Sequence, residues 1–192
     1  LGRAVANPEH PYVAILGGAK ISDKILVVET MLLSCDKLII GGGMANTFLA
    51  AQGLDMQDSL VEESSLETAK AILAKLADKL ILPVDAVIAD KFDAEANTQV
   101  VDVNAIPAGW RMLDVGPKTI ELYKTALSDA KLVVWNGPVG VFEMPKFADG
   151  TFAIARLLAE SSATTVIGGG DSASAVKKAG VAKQMTHVST GG

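Results

Sequence analysis

Short apolar segments that lead into a turn recur along the chain, and this repeat restricts the possible folds more than any other feature. Six segments fit this description: residues 12–16 (YVAIL), 37–40 (KLII), 85–89 (DAVIA), 112–116 (MLDVG), 132–135 (LVVW) and 164–168 (TTVIG). All but 85–89, which leads into a polar, hairpin-like stretch, meet a glycine turn. Helical periodicity lies between them, for example over residues 64–77 and 145–160. Alternating strands and helices predict a parallel sheet, here a Rossmann-like α/β fold of about six strands with helices on both faces, a three-layer sandwich.

Length and composition exclude several classes of protein. The 192 residues, 49% of them hydrophobic, fit one domain spanning 1–192. A net charge of −5 argues against nucleic acid or an anionic membrane as a partner. The sequence has no apolar run of about 18 residues and no secretory leader pattern, so we expect a cytoplasmic protein, and we expect it to be a monomer.

The segment VIGGGDSASA (166–175) predicts a phosphate site. An apolar strand ends in Gly168, Gly169 and Gly170, and a helix then begins with Asp171 and Ser172. Glycine backbone and a helix N-terminus together favour an anion. A carboxylate at such a site would repel phosphate unless a cation lay between them. We therefore predict a metal-bound nucleotide, with Asp171 as the metal ligand.

Three further glycine clusters, at residues 17–18, 41–43 and 137–140, follow other predicted strands. In an open parallel sheet these turns lie along one edge, where ligands bind. Lys20 and Lys24 follow the first cluster, and a helix from about residue 20 would place them on one face, one turn apart. Two solvated lysines are one interpretation. A pair neutralised by phosphate is favoured, because a helix N-terminus otherwise selects acids.

The loop WNGPVGVFE (135–143) is apolar and rich in glycine and proline. Such a backbone can flank a purine, and Glu143 can accept hydrogen bonds from a ribose. The alternative is structural, with Trp135 and Phe142 in the core and Glu143 capping a helix.

Residues 168–173 also match the dinucleotide pattern G-x-G-x-x-A, which keeps a nicotinamide-dependent oxidoreductase open as an alternative. That pattern expects an acidic residue about 20 positions later, and no Asp or Glu follows Asp171. A Walker A loop is absent as well.

Several motifs together resemble one family, phosphoglycerate kinase, in its nucleotide-binding C-terminal domain. The motifs span the chain in order: GGAKISDK (17–24), IIGGGMANTFL (39–49), LPVDAVIADKF (82–92), IPAGWRMLDVGP (106–117), WNGPVGVFE (135–143), GGGDS (168–172) and HVSTGG (187–192). The resemblance implies reversible phosphoryl transfer between 1,3-bisphosphoglycerate and ADP in glycolysis, with Mg²⁺ bound to ADP or ATP.

The resemblance also implies roles for individual residues. Lys20 would contact the phosphates, Lys24 would follow the group in transfer, and Gly191 and Gly192 would join them as catalytic residues. Glu143 would bind the ribose, and Asp171 the metal. The implied nucleotide-binding residues are Gly17, Gly18, Lys20, Gly41, Gly42, Gly116, Asn136, Pro138, Val141, Glu143, Gly168, Gly169, Gly170, Asp171 and Ser172.

Three departures from the family pattern accompany the resemblance. Ser172 stands where threonine is also common. Asn46 stands where an aromatic residue is frequent, in the adenine pocket. The N-terminal domain that binds phosphoglycerate in the family has no counterpart in this sequence, so the chain is expected to bind nucleotide with little or no turnover. A non-catalytic nucleotide-binding module therefore remains the other alternative.

Overall fold

The structure is a computed structural model, and it describes residues 7–189. The strands in this range are β1 (Tyr12–Leu16), β2 (Lys37–Ile40), β3 (Leu80–Ile81), β4 (Asp85–Ala89), β5 (Thr98–Asp102), β6 (Arg111–Val115), β7 (Leu132–Asn136), β8 (Thr164–Gly168) and β9 (His187–Ser189). The α-helices are α1 (Ile25–Ser34), α2 (Gly42–Ala51), α3 (Leu66–Leu76), α4 (Pro117–Leu127), α5 (Asp149–Glu160) and α6 (Gly170–Lys178). Among the helices of residues 7–189, none has both the length and the apolar character needed to cross a membrane.

The main sheet has six strands in the order β3-β2-β1-β7-β8-β9, and every pair is parallel. Its central strand β1 is fully buried along its length. Val13 and Ile15 face a core that includes α4, α5 and α6, whereas Tyr12, Ala14 and Leu16 face α1, α2 and α3. Alternate residues of one strand thus pack against helices on opposite faces of the sheet. The predicted α/β fold with a parallel sheet of six strands is confirmed.

Two predicted members of the main sheet lie elsewhere. Segments 85–89 and 112–116 were expected to be parallel strands, but β4 and β6 belong to a separate antiparallel sheet of order β5-β4-β6. Very short edge strands, β3 and β9, take their places in the main sheet. The expected hairpin after residue 89 is present as the antiparallel pair of β4 and β5.

Strand register brings the glycine turns to one edge of the main sheet. Leu16 pairs with Ile40 on one side and with Asn136 on the other, and Asn136 pairs with Gly168. All four strands therefore end at the same level. The strand order reverses between β1 and β7, and a ligand binds at such a point in folds of this class.

Candidate functional site

The turns after β1, β2 and β7 interlock through backbone contacts. Gly17 N donates to Asn136 O at 2.9 Å, and Gly18 N donates to Pro138 O at 3.1 Å. A methyl group added at Gly17 would lie 1.9 Å from Pro138 O, and one added at Gly41 would lie 2.4 Å from the Val139 side chain. Glycine is needed at these two positions because the loops approach too closely for a side chain.

Lys24 reaches back to these turns. Its Nζ donates to Gly17 O at 2.7 Å and to Asn136 Oδ1 at 2.8 Å. Burial lowers the pKa of Lys24, and the negative charges of Asp171 and Asp23 oppose that shift in part. The site therefore holds a partly desolvated amine beside two neutral oxygen acceptors.

The predicted pairing of Lys20 and Lys24 on a helix face is wrong. Residues 22–24 form a turn, Lys24 occupies the N-cap position, and α1 begins at Ile25. Lys20 lies exposed in the loop before this turn. From the N-cap position, the Lys24 side chain is directed to Gly17 and Asn136.

The N-terminus of α6 lies at the end of β8. Gly169 is the N-cap residue with φ of +89°, a conformation that favours glycine, and Gly170 is the first residue of the helix. Asp171 is exposed and makes no hydrogen bond or salt bridge with residues 7–189. It therefore does not cap its own helix through a side-chain contact.

Ser172, by contrast, is fully buried, and its Oγ accepts a hydrogen bond from Gly137 N at 2.6 Å. This hydrogen bond joins α6 to the loop after β7. The side chain of Asn136 is also bonded within the protein, because its Oδ1 accepts a hydrogen bond from Lys24 Nζ.

These elements enclose a cavity of about 520 Å³. Six of the predicted site residues line it: Gly18, Gly42, Pro138, Val141, Glu143 and Asp171. Gly17 and Gly41 pack directly behind that wall, against Pro138 and Val139. Gly191 and Gly192 lie outside the described residues.

Gly116 is placed apart from the cavity lining. It is the N-cap residue of α4, and a methyl group there would lie 2.4 Å from the Asp85 carboxyl carbon. Asp85 accepts hydrogen bonds from Lys118 N and Thr119 N, both at 2.9 Å. The lack of a side chain at Gly116 thus makes room for a buried carboxylate that caps α4.

Sequence reasoning missed much of the opposite wall, which the second sheet and its neighbouring loops supply. Asn46 of α2, which the resemblance places in the adenine pocket, lines the cavity as well. The missed lining residues with polar or large apolar side chains are Asp58, Leu60, Phe92, Arg111, Met112, Leu113 and Asp114. Some of them fall inside motifs that carry the family resemblance, which was the available signal. Periodicity alone did not mark them.

Asp114 is the most buried carboxyl of this wall, with 1% of its surface exposed. Oδ1 accepts a hydrogen bond from Val115 N at 2.9 Å, and Oδ2 accepts one from Gly150 N at 3.1 Å. Burial raises its pKa to about 8, because the two N–H donors offset only part of the cost of removing a carboxylate from water. Asp114 therefore links β6 to the N-terminus of α5 at the base of the cavity.

Comparison with known proteins agrees with this architecture. A family model described as phosphoglycerate kinase matches residues 1–192. Phosphoglycerate kinases of Chloroflexus aggregans and Limosilactobacillus reuteri are each 58% identical over the whole chain, which covers 50% and 48% of their lengths.

Solved structures give the same result. The phosphoglycerate kinase structure from Coxiella burnetii superposes with a TM-score of 0.96 at 42% identity, over 100% of this chain and 51% of that one. The structure of the Pyrococcus horikoshii enzyme gives a TM-score of 0.86 at 32% identity, over 99% and 49%. The chain thus spans about half the length of the relatives it matches, and it belongs to the phosphoglycerate kinase family.

Proposed function

We propose that this chain is the ADP- and ATP-binding C-terminal domain of a phosphoglycerate kinase. With the remainder of the enzyme it would take part in reversible phosphoryl transfer between 1,3-bisphosphoglycerate and ADP. The observation that carries the proposal is the cavity at the β1/β7 switch point, where interlocked glycine turns, Lys24 and the N-terminus of α6 lie together. These are the features that a polyphosphate requires.

The cavity walls suggest how the nucleotide lies. Asp171 and the glycines of α6 mark the phosphate end, since the first N–H groups of a helix have no partner within it. Leu60, Met112 and Val141 give the opposite wall the apolar character that a purine needs. Glu143 is exposed at the rim, and we assign it to the ribose hydroxyls.

Phosphoryl transfer demands little covalent chemistry from the protein, so positioning and charge carry it. We assign Lys20 to the phosphates of the bound nucleotide and Lys24 to the group in transfer. Asn136 and Gly17 hold the Lys24 amine beside Gly18, a cavity-lining residue, until a phosphoryl oxygen replaces them. Exclusion of water then protects the acyl phosphate from hydrolysis.

Mg²⁺ fits this site as an ion carried by the nucleotide. Among residues 7–189, no group of three or more His, Cys, Asp or Glu side chains is placed to hold a metal. Mg²⁺ is commonly held by one or two carboxylates together with phosphate oxygens and water, and Asp171 is an unpaired carboxylate on the cavity wall. When bound, the ion neutralises phosphate charge.

The chain covers only half the length of its relatives, so we propose that phosphoglycerate binds to the other half of the enzyme. The isolated chain would then bind nucleotide with negligible turnover, as a monomer. Because the proposed reaction belongs to glycolysis, we propose a cytoplasmic location; a relative from Volvox carteri is described as chloroplastic. Family membership gives no support to the nicotinamide alternative.

The test is a titration of the chain with ADP, first in Mg²⁺ and then in chelator. We expect wild type to bind Mg-ADP, and Asp171→Asn to bind it on the order of tenfold more weakly, the effect of losing one charged contact. Metal-free ADP should bind the variant at least as well as wild type, because a negative charge has been removed from a phosphate site. Asp149→Asn is the matched control, since Asp149 is an exposed acid in the first turn of α5 and does not line the cavity.

Absence of ADP binding by wild type would refute the proposed function. Tighter Mg-ADP binding by Asp171→Asn would refute the metal assignment alone. Robust phosphorylation of 3-phosphoglycerate by the isolated chain would show that the other half of the enzyme is not required.

A further inference from the structure

Two of the unpaired buried polar atoms of the described residues belong to side chains that line the cavity. Among the described residues, the buried side-chain atoms without a hydrogen-bond partner are Tyr12 Oη, Asn46 Oδ1, Arg111 Nε and Tyr123 Oη. Asn46 and Arg111 both line the cavity, and the two tyrosines do not. An unpaired buried polar group costs free energy, so it needs an explanation in a native protein. At the cavity wall, a bound ligand can supply the missing partner.

Asn46 has no evident structural task. It lies in α2 with 3% of its surface exposed, three residues after Gly43, which lines the same cavity. The neighbouring Thr47 is equally buried, but its hydroxyl donates to Gly43 O and accepts from Glu62 N. Thr47 therefore stabilises the fold, whereas the amide oxygen of Asn46 has no hydrogen-bond partner among the described residues.

The topology places Asn46 away from the phosphate end. Helix α2 follows β2 and α6 follows β8, and strands β1 and β7 lie between them. Three strand spacings separate the two helix starts by about 14 Å. A nucleotide whose phosphates meet α6 therefore directs its base toward α2 and the apolar residues Leu60 and Met112.

We propose that Asn46 determines base specificity: its Oδ1 accepts a hydrogen bond from the exocyclic amino group at C6 of adenine. This inference rests on the proposed nucleotide function. An asparagine amide pairs well with the amino edge of adenine, and here it lines the cavity together with the apolar residues Leu60 and Met112. The bound base thus supplies the partner that the protein lacks.

The test compares ADP with purine riboside 5′-diphosphate, which has hydrogen in place of the amino group at C6. The 6-oxo analogue is less informative, because the amide can rotate and donate to it. We expect wild type to bind ADP about threefold to tenfold more tightly than the analogue, the effect of one hydrogen bond. We expect Asn46→Leu to bind the two ligands equally, through weaker binding of ADP.

A structural role for Asn46 predicts a different result. Leucine has a similar volume and no unpaired amide, so the melting temperature of Asn46→Leu should stay the same or rise if Asn46 serves the ligand. Asn104→Leu is the matched control, because Asn104 is an exposed asparagine that does not line this cavity, and it should keep the wild-type ligand preference.

The outcomes separate the two proposals. Equal binding of both ligands by wild type, or an unchanged preference in Asn46→Leu, would overturn the role of Asn46 and leave nucleotide binding intact. Failure of wild type to bind any nucleotide would remove both. If Asn46→Leu does not fold, Asn46→Ala provides the same comparison, and misfolding of both variants would show that Asn46 is structural.

Discussion

Stability should fall as pH rises from about 5 to about 8, and Asp114 should be the cause. Its carboxyl is buried at the base of the cavity, and its pKa of about 8 lies far above the ordinary value of 3.8. Within this window the folded state retains a proton that the unfolded chain has released. Stability decreases with pH wherever the folded state binds more protons, so the stabilisation is complete below about pH 4 and is lost through pH 8.

The magnitude follows from the two pKa values. A gap from 3.8 to about 8 is about 4 pH units, or about 6 kcal/mol at about 1.4 kcal/mol each. This is an upper limit, because Asp114 lines the cavity and water can approach the charge once it forms. We expect a fall of at least about 2 kcal/mol in the free energy of unfolding, which is large for a domain stable by about 5–15 kcal/mol.

Asp114→Asn removes the titration and keeps the shape. The amide has one oxygen for the two N–H donors, Val115 N and Gly150 N, so the variant should lose about 1–2 kcal/mol at pH 5. Its stability should then stay flat where that of wild type falls, and the two should converge by pH 8.

Urea unfolding at pH 5, 6, 7 and 8 measures this difference. Asp129→Asn, at an exposed aspartate after α4, should keep the wild-type slope. Parallel profiles for wild type and Asp114→Asn would refute the argument, since they would show that the buried carboxyl does not control the pH dependence.

Two further predictions concern the loops and the amine. Gly41→Ala should lower the free energy of unfolding, followed by thermal melts, by about 1–3 kcal/mol, because its methyl group would lie 2.4 Å from Val139. Gly170→Ala should change it by less than about 0.5 kcal/mol, because a methyl group there would have no atom within 4 Å. Equal effects would show that loop contact is not the reason for glycine at residue 41. Lys24→Met should leave ADP binding nearly unchanged in calorimetry and lower turnover once the chain is combined with the other half of the enzyme, because its amine is assigned to the group in transfer, whereas Lys20→Met should weaken ADP binding on the order of tenfold. Equal loss of ADP affinity in the two variants, with turnover spared, would contradict this division of roles.

The main sheet was predictable because its central strands are buried on both faces. β1 and β7 are nearly continuous apolar runs, and each is followed by glycine, so residue type and spacing both indicated a parallel sheet. β4 and β6 show the same local pattern but pair in antiparallel fashion with different neighbours. Periodicity describes how a strand is buried and does not specify its partner.

The edge strands escaped prediction for another reason. β3 has only two residues, and the exposed residues His187 and Val188 begin β9. An edge strand has one neighbour and a wet side, so it needs no long apolar run. Similarly, β5 is mostly exposed, and the sequence indicated only a hairpin-like stretch there.

The turn at Lys24 shows the limit of reasoning from spacing. Two lysines four residues apart share a helix face only if the residues between them are helical. Here the contacts of the Lys24 amine with Gly17 and Asn136 lie across the sheet edge, 7 and 112 residues away along the chain. The contact with Asn136 joins residues far apart along the chain, and no local pattern encodes it.

The glycines that made the site recognisable and the residues that would meet the ligand are largely different groups. Gly17 and Gly41 lie behind the cavity wall, where close backbone contact forbids a side chain. Asn46 and Asp171 line the cavity and make no hydrogen bond that would explain them structurally. It follows that substitutions at Gly17 or Gly41 should lower stability and affinity together, because they displace whole loops, whereas substitutions at Asn46 or Asp171 should lower affinity without lowering stability. Clustered glycines and an acid beside them are conspicuous in a sequence, but the unpaired amide oxygen of Asn46 becomes visible only in the fold.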